Sequence, residues 1–169
     1  MQNSTRLYFE KLNKENEKFI YQLYRNPENT EFLHGIDPSQ DIVLSQNCAE
    51  KFDVGVYLIF ENGSKNFVGC GGIQLQEPMI DGSLAIKNHE IEFVIILDNS
   101  FKGKGYASEF CQNFFNKVSL SKPQLNIPAR VSLSNEPCIK LLKKFGFQEK
   151  GKTHYNNYSN EFLLLLRNV

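Results

Sequence analysis

The sequence predicts a mixed α+β fold in a single domain. Segments rich in β-branched and aromatic residues are interspersed with segments whose apolar residues recur at helical spacing. The predicted element order is β-α-α-β-β-β-α-β-α-β-β, which differs from the strict strand–helix alternation of a parallel-sheet protein. A length of 169 residues, with 41% of them hydrophobic, suits one domain over residues 1–169.

Composition argues against several functional classes. Lysine and arginine together number 19, equal to aspartate and glutamate, so no net charge favours nucleic acid or a membrane as a partner. No apolar run approaches the roughly 20 residues that span a bilayer. The start Met1-Gln2-Asn3-Ser4 has no secretory-signal pattern, so we expect a cytoplasmic protein. The four cysteines are widely spaced without a CxxC pair, so we expect reduced thiols and no metal site.

The N-terminal third is predicted to hold one strand and up to three helices. Arg6–Leu12 alternates as a strand, and Asn13 is a candidate cap for the helix that follows. Pro27 suits the first turn of a second helix, which we expect to end near Gly35. Pro38–Phe52 is a further candidate helix.

The remainder is predicted to hold six strands and two helices. The strands are Val54–Phe60, Phe67–Leu75, Ile91–Leu97, Ile127–Leu133, Phe147–Thr153 and Glu161–Arg167. One helix starts at Tyr106, and the other runs from a cap at Ser134 or Asn135 to Gly146. The pair Asn62-Gly63 signals a hairpin between the first two strands. Pro128 cannot donate a ladder hydrogen bond, which suits an edge or a place where strands part.

A glycine-rich turn separates the Ile91–Leu97 strand from the helix at Tyr106. Its sequence Lys102-Gly103-Lys104-Gly105 would aim unpaired backbone N–H groups at a ligand, and such helix starts bind anions, usually phosphate. The turn is not a P-loop, because no GxxxxGK[ST] spacing occurs. It also fails as a dinucleotide fingerprint, because Ser108 follows Gly103-x-Gly105 and no acidic residue lies at the ribose position. The pattern Q/R-x-x-G-x-G/A is matched at residues 102–107, with lysine in the first place.

A second segment, about 30 residues further along the chain, supports that last pattern. Residues 135–147 are NEPCIKLLKKFGF, and residues 103–109 are GKGYASE. Together they resemble the acetyl-CoA-binding motifs of the GNAT N-acetyltransferase superfamily, in particular the branch of ribosomal-protein N-terminal acetyltransferases. The resemblance covers nearly the whole chain in element order and includes the opening Thr5-Arg6-Leu7.

The resemblance implies a central, mostly antiparallel, twisted sheet of about six or seven strands with helices on both faces. The strands would diverge at the acetyl-CoA site. There the main chain of Ile95 and Leu97 would pair with the pantetheine arm, and Asn135 would contact the pantetheine region. The pyrophosphate would be wrapped by Lys102, Gly103, Lys104, Gly105, Tyr106 and Ala107.

Three residues are candidates for proton transfer. Glu90 and Glu92 lie on one face at the start of the central strand, where some relatives carry the base that deprotonates the amine. A solvated or salt-bridged carboxylate is the alternative for each. Many relatives carry a tyrosine as general acid late in the second motif, where this chain has Leu142. Cys138 takes the place of a serine suggested as proton donor in the resembling branch, and an inert core cysteine is the alternative.

The resemblance further implies direct transfer of acetyl from acetyl-CoA to a primary amine. The amine-bearing acceptor would be the N-terminus of a protein or peptide, or a small molecule such as a polyamine, an amino acid or an antibiotic. A module that binds acyl-CoA without turnover is another alternative. We expect a monomer or a homodimer, with no metal.

Overall fold

The computed structural model describes residues 6–33, 54–75, 91–122, 125–154 and 161–168, which form seven strands and four helices. The strands are β1 (Leu7–Lys11), β2 (Val56–Glu61), β3 (Phe67–Leu75), β4 (Ile91–Leu97), β5 (Asn126–Ser132), β6 (Gln148–His154) and β7 (Glu161–Asn168). The helices are α1 (Lys18–Arg25), α2 (Pro27–Thr30), α3 (Tyr106–Ser121) and α4 (Glu136–Lys144), and a short 3₁₀ turn covers Asn99–Phe101. The predicted mixed fold is confirmed.

The strands form two antiparallel sheets that part between β4 and β5. One sheet has the order β1-β2-β3-β4, and the other has the order β5-β7-β6. β4 and β5 lie side by side, but no ladder joins them. Pro128 lies in β5, which is the outer strand of its sheet and faces β4, so the predicted edge position of this proline is confirmed.

Helices pack on both faces of the first sheet because its strands are apolar on both sides. In β2, Tyr57 and Ile59 belong to one core cluster, whereas Leu58 and Phe60 belong to the other. The first cluster is covered by α3 and α4 through residues that include Phe110, Phe114, Phe115 and Leu142. The second is covered by α1 through Ile20 and Leu23. Each such large buried side chain stabilises the fold by about 1.5–3 kcal/mol.

A glycine in β3 lets α3 approach the sheet closely. A Cβ on Gly71 would lie 2.6 Å from Cε1 of Phe110, a fully buried ring of α3. Any side chain at position 71 would therefore push α3 outward. The tight contact fixes where the first turn of α3 lies relative to the end of β4.

Two predicted boundaries near the N-terminus are wrong. The carboxamide of Asn13 accepts hydrogen bonds from the N–H groups of Glu15 and Asn16, at 2.8 and 3.2 Å, so it closes a turn and α1 begins only at Lys18. The second helix starts at Pro27 as predicted but ends at Thr30. Gly35 and the helix predicted at Pro38–Phe52 lie outside the described residues. Among the described helices, none combines the length and the apolar character needed to cross a membrane.

Candidate active site

The start of α3 presents backbone N–H groups that have no acceptor among the residues that the structure describes. The first intrahelical bond runs from the N–H of Glu109 to the carbonyl of Gly105, at 3.1 Å. Gly105 caps the helix without a side-chain hydrogen bond. Within the described chain, the N–H groups of residues 103–108 have no protein acceptor. Six donors at a helix N-terminus form a site for an anion.

Two glycines give this turn its shape. Gly103 and Gly105 have φ of 75° and 82°, in the left-handed region that residues with a side chain adopt at a cost. A Cβ at Gly103 would meet nothing within 4 Å, so the backbone conformation, not space, selects glycine there. The two glycines of the motif therefore permit the left-handed backbone of the turn and also leave its N–H groups accessible to a ligand.

A groove of about 530 Å³ lies over these donors and is large enough for a cofactor. Its walls combine the end of β4, the turn, the start of α3 and the start of α4. The lining includes Ile95, Leu97, Lys102, Gly103, Gly105, Tyr106, Ala107, Asn135 and Cys138. Of the residues expected to hold acetyl-CoA, only Lys104 does not line the groove; its ammonium lies 5.2 Å from the centre of the Phe101 ring.

The β4 backbone turns one set of polar groups toward this groove. The N–H of Asp98 donates to the carbonyl of Val68 in β3, at 2.9 Å. Because alternate residues of a strand direct their N–H and C=O groups to the same side, Ile96 also faces β3. Ile95 and Leu97 therefore direct their main-chain groups away from β3, toward the side on which β5 departs. This is the orientation that pairing with an extended ligand needs.

An ion pair and a proline account for the missing ladder between β4 and β5. The carboxylate of Glu92 accepts the Nε–H of Arg130 at 3.0 Å and the Nη2–H at 2.5 Å, with both side chains at most 5% exposed. The same carboxylate accepts the backbone N–H of Arg130 at 3.2 Å. Pro128, two residues earlier on the same edge of β5, has no N–H. Of the β5 positions whose N–H would face β4, one is therefore occupied by Glu92 and another has no N–H.

The glycine turn is held from behind by the N-terminal strand. Nη1 of Arg6 donates to the carbonyl of Lys104 at 3.1 Å, and its guanidinium pairs with Glu109 in the first turn of α3. The guanidinium also lies 4.7 Å from the centre of the Tyr106 ring. The Tyr106 hydroxyl donates to the carboxylate of Glu61. The side chain of Tyr106 therefore supports the turn, and the residue also lines the groove.

The other side of the turn is held by α2. Asn29 is 7% exposed, and its Oδ1 accepts the N–H of Asn99 at 2.7 Å while its Nδ2 donates to Asp98 at 3.2 Å. Lys102 donates through Nζ to the carbonyl of Glu28 at 2.8 Å. The ammonium expected to approach phosphate is therefore engaged by α2 in this structure.

The start of α4 brings Asn135 and Cys138 to the groove. Oδ1 of Asn135 caps the helix by accepting the N–H of Cys138 at 3.2 Å, as the sequence predicted for a cap at this position. The amide nitrogen of Asn135 makes no hydrogen bond to the described residues and can donate to a ligand. Burial raises the pKa of the Cys138 thiol to about 12. Cys138 also packs against the first core cluster, so it is a neutral thiol at the groove wall.

Cys138 lines the groove, Glu92 lines a smaller cavity next to it, and Glu90 lies outside the described residues. Sequence reasoning missed Arg130, Asn29 and Arg6. Arg130 carried a signal, since a charged residue within an apolar strand needs a buried counter-ion. Asn29 carried none, because its partners lie about 70 positions away.

Comparison with known proteins identifies the family. The family model for the Acetyltransferase (GNAT) domain matches residues 6–148. The chain belongs to the GNAT acetyltransferase family. A curated relative of this GNAT chain, named Uncharacterized N-acetyltransferase p20, from Bacillus licheniformis, is 26% identical over 153 residues, or 86% of this chain and 81% of the relative.

Solved structures show the same fold. A GNAT-family acetyltransferase from Bordetella pertussis matches with a TM-score of 0.82 at 17% identity, covering 98% of each chain. A spermidine N-acetyltransferase from Vibrio cholerae, solved with CoA and spermine, matches with a TM-score of 0.68 at 16% identity, covering 98% of this chain and 96% of the other. An acetyltransferase from Salmonella typhimurium that modifies the N-terminal serine of 50S ribosomal subunit protein L7/L12 matches with a TM-score of 0.73 at 15% identity, over 98% and 96%. These likenesses concern the fold alone.

Proposed function

We propose that this GNAT chain is an acetyl-CoA-dependent N-acetyltransferase whose acceptor is a primary amine. The observation that carries the proposal is the row of six N–H groups at the start of α3 that have no acceptor in the described part of the chain. They lie at one end of a groove that is edged by the side of β4 facing away from β3. Diphosphate and an extended amide-bearing arm are the two parts of acetyl-CoA that such surfaces would recognise.

The residues present fit this ligand. The N–H groups of the turn and of the first turn of α3 would bind the pyrophosphate, because donors and helix dipole both favour negative charge there. The outward main-chain groups of Ile95 and Leu97 would pair with the amides of the pantetheine arm. The amide nitrogen of Asn135 would donate to the same arm from α4.

Positioning would supply most of the rate acceleration. Acetyl-CoA supplies a thioester, and the amine nitrogen must bond to the acetyl carbon as the carbon–sulfur bond breaks and the nitrogen loses its proton. The β4 edge and the α4 start would fix the thioester relative to the amine. A main-chain N–H of β4 aimed at the thioester oxygen would stabilise the negative charge that develops on it.

Proton transfer by Cys138 and Glu92 has specific obstacles. A thiol whose pKa is about 12 is a weaker acid than an ordinary thiol, so its proton would move unfavourably to a departing thiolate. Glu92 could accept a proton only by weakening its pair with Arg130. Glu90 stays a candidate base. An acceptor whose amine is already partly neutral at physiological pH, as an α-amino group is, would need the least help.

The acceptor has two candidates, a protein or peptide N-terminus and a small-molecule amine. Solved structures with this fold include a spermidine N-acetyltransferase and an acetyltransferase that modifies the N-terminal serine of ribosomal protein L7/L12. Turnover on peptides with free N-termini but not on polyamines would identify the first, and the opposite result would identify the second.

A binding module without turnover is the candidate from another class, and the paired state of Glu92 favours it. Calorimetry with acetyl-CoA, followed by detection of free CoA thiol in the presence of an amine panel, separates the two. Binding with thiol release that depends on amine supports the enzyme. Binding without release on any amine identifies the module, and no binding contradicts both.

A further inference from the structure

A second, smaller cavity of about 70 Å³ lies on the face of the sheet that α1 and α2 cover. Tyr24, Phe32 and Leu33 form its apolar side. Polar side chains on the opposite side come from three neighbouring strands, with Gln74 in β3, Glu92 in β4, and Arg130 and Ser132 in β5. Gln74 and Glu92 are direct cross-strand partners, so their side chains project from the same face.

This cavity adjoins the groove proposed for acetyl-CoA. Phe32, Leu33, Ile95, Asn135 and Cys138 are among the residues that line both. A thioester held beside Ile95 would therefore have the small cavity as its neighbour. The cavity therefore offers a nucleophile a place to meet the acetyl carbon.

Gln74 is a polar residue of this cavity whose side chain has no hydrogen-bond partner among the described residues. Its side chain is only 7% exposed, yet its carboxamide makes no hydrogen bond within the described chain. The nearby polar groups are engaged: Glu92 with Arg130, and the Ser132 hydroxyl with that of Ser134 at 2.9 Å. A buried amide without partners costs about 1–3 kcal/mol, and most such groups in folded proteins are satisfied. The presence of an unpaired buried amide at Gln74 therefore points to a ligand that hydrogen-bonds to it.

We propose that the Gln74 carboxamide binds the acceptor and selects a primary amine that carries a neutral hydrogen-bonding group, such as an amide, close to its nitrogen. The carboxamide offers both an acceptor and donors, which match an amine N–H and a neighbouring carbonyl. The described walls offer no uncompensated carboxylate, because Arg130 neutralises Glu92. A second ammonium, as in a polyamine, would thus gain nothing there. This inference rests on the proposed function and refines its acceptor.

Gln74→Met tests the role because it keeps the length of the side chain and removes the amide. We would measure kcat/KM for glycinamide, for propylamine and for spermidine, together with the affinity for acetyl-CoA and the thermal midpoint. We expect wild-type protein to prefer glycinamide, and Gln74→Met to lose about tenfold in kcat/KM for glycinamide alone. The affinity for acetyl-CoA should not change, and the thermal midpoint should hold or rise because an unpaired buried amide has been removed. Gln22→Met, on the exposed face of α1, is the matched control.

The outcomes separate this inference from the proposed function. No acetyl-CoA binding, or no turnover on any amine by wild-type protein, would overturn the function itself. If wild type and Gln74→Met showed the same preference among the three amines, the Gln74 amide would have a buried water as its partner. That result would overturn this inference but not the proposed function. A fall in thermal midpoint with an equal loss on all amines would make Gln74 structural. Preference of wild-type protein for spermidine would also contradict the inference.

Discussion

Glu92 and Arg130 form a buried ion pair that joins β4 to β5 at the point where the two sheets part. The carboxylate binds both the guanidinium and the backbone N–H of Arg130. A strand N–H that is bonded to a side chain cannot enter a ladder with the neighbouring strand. The pair therefore connects the two sheets while preventing β4 and β5 from forming a hydrogen-bonded ladder at this point. Pro128 has the same effect on the same edge.

Removing one partner of this ion pair should destabilise the fold far more than replacing both partners with apolar residues. Arg130→Met alone should destabilise the fold by about 3–5 kcal/mol, because it leaves a buried carboxylate without its counter-ion. The double variant Glu92→Leu with Arg130→Met should recover most of that loss. Its affinity for acetyl-CoA should nevertheless fall, since the freed N–H of residue 130 can then bond to β4 and narrow the groove.

Chemical denaturation and calorimetry on the two single variants and the double variant measure both effects. The exposed pair Lys140 and Glu136 on α4 is the control, and Lys140→Met there should cost no more than about 1 kcal/mol. A double variant that binds acetyl-CoA as tightly as wild type would show that the ion pair does not keep the strands apart.

Asn29 lines the groove and should affect acetyl-CoA binding through the turn that it holds. Asn29→Ala removes a buried bond to the carbonyl of Leu23 and part-buried bonds to Asp98 and Asn99, so we expect a loss of about 1–3 kcal/mol in stability. The turn should become less ordered, and the affinity for acetyl-CoA should fall. Asn116→Ala on the exposed face of α3 is the control. Unchanged affinity at reduced stability would limit Asn29 to a structural role.

Asp98 should make the fold sensitive to acid. Burial raises the pKa of its carboxyl, but hydrogen bonds from Ser100 and Asn29 outweigh that and leave the pKa below its ordinary value of 3.8. Because the folded-state pKa is the lower one, the carboxylate stabilises the fold above about pH 4, and the contribution is lost as pH falls through the folded-state pKa. The stability difference between wild type and Asp98→Asn should be largest near neutral pH and shrink in acid. A pH-independent difference in urea titrations would contradict this.

Cys138 should behave as a protected thiol. With its pKa raised to about 12, the thiolate population near neutral pH is very small, so alkylation should be slower than in the unfolded chain by roughly a thousandfold. Peptide mapping after iodoacetamide treatment, in buffer and in denaturant, measures this ratio. Cys138→Ala should leave turnover nearly unchanged. A loss of about a hundredfold in turnover at unchanged acetyl-CoA affinity would instead establish the thiol as a proton donor.

Local patterns in the sequence were enough for most of the fold. The bounds of β3 and β4 and the start of α3 at Tyr106 were predicted as observed, because apolar runs and glycine punctuation act over short distances. Asn135 and Asn13 show the limit of such reasoning. Both residues are suited to capping, but only Asn135 is followed directly by a helix, whereas Asn13 closes a separate turn.

The part of the site that is proposed to bind acetyl-CoA was predictable for the same reason, but the residues that hold it in place were not. The glycine turn is a continuous motif whose backbone shape follows from Gly103 and Gly105. Its supports, Asn29 and Arg6, bond to residues about 70 to 100 positions away. Gln74 could not be singled out either, because its environment depends on β4, β5 and the end of α2 together. Tertiary neighbours of this kind leave no trace in local periodicity.

The central claim is that the turn at the start of α3 binds the pyrophosphate of acetyl-CoA, and calorimetry on two glycine variants tests it most directly. Gly105 and Gly146 have nearly equal φ values of 82° and 86°, so a side chain at either position costs similar backbone strain, but only Gly105 lines the groove. Wild type and Gly146→Glu should bind acetyl-CoA alike. Gly105→Glu should lose at least about a hundredfold in affinity, because its carboxylate repels phosphate and obstructs the N–H groups. Binding by Gly105→Glu as tight as by Gly146→Glu would contradict the account.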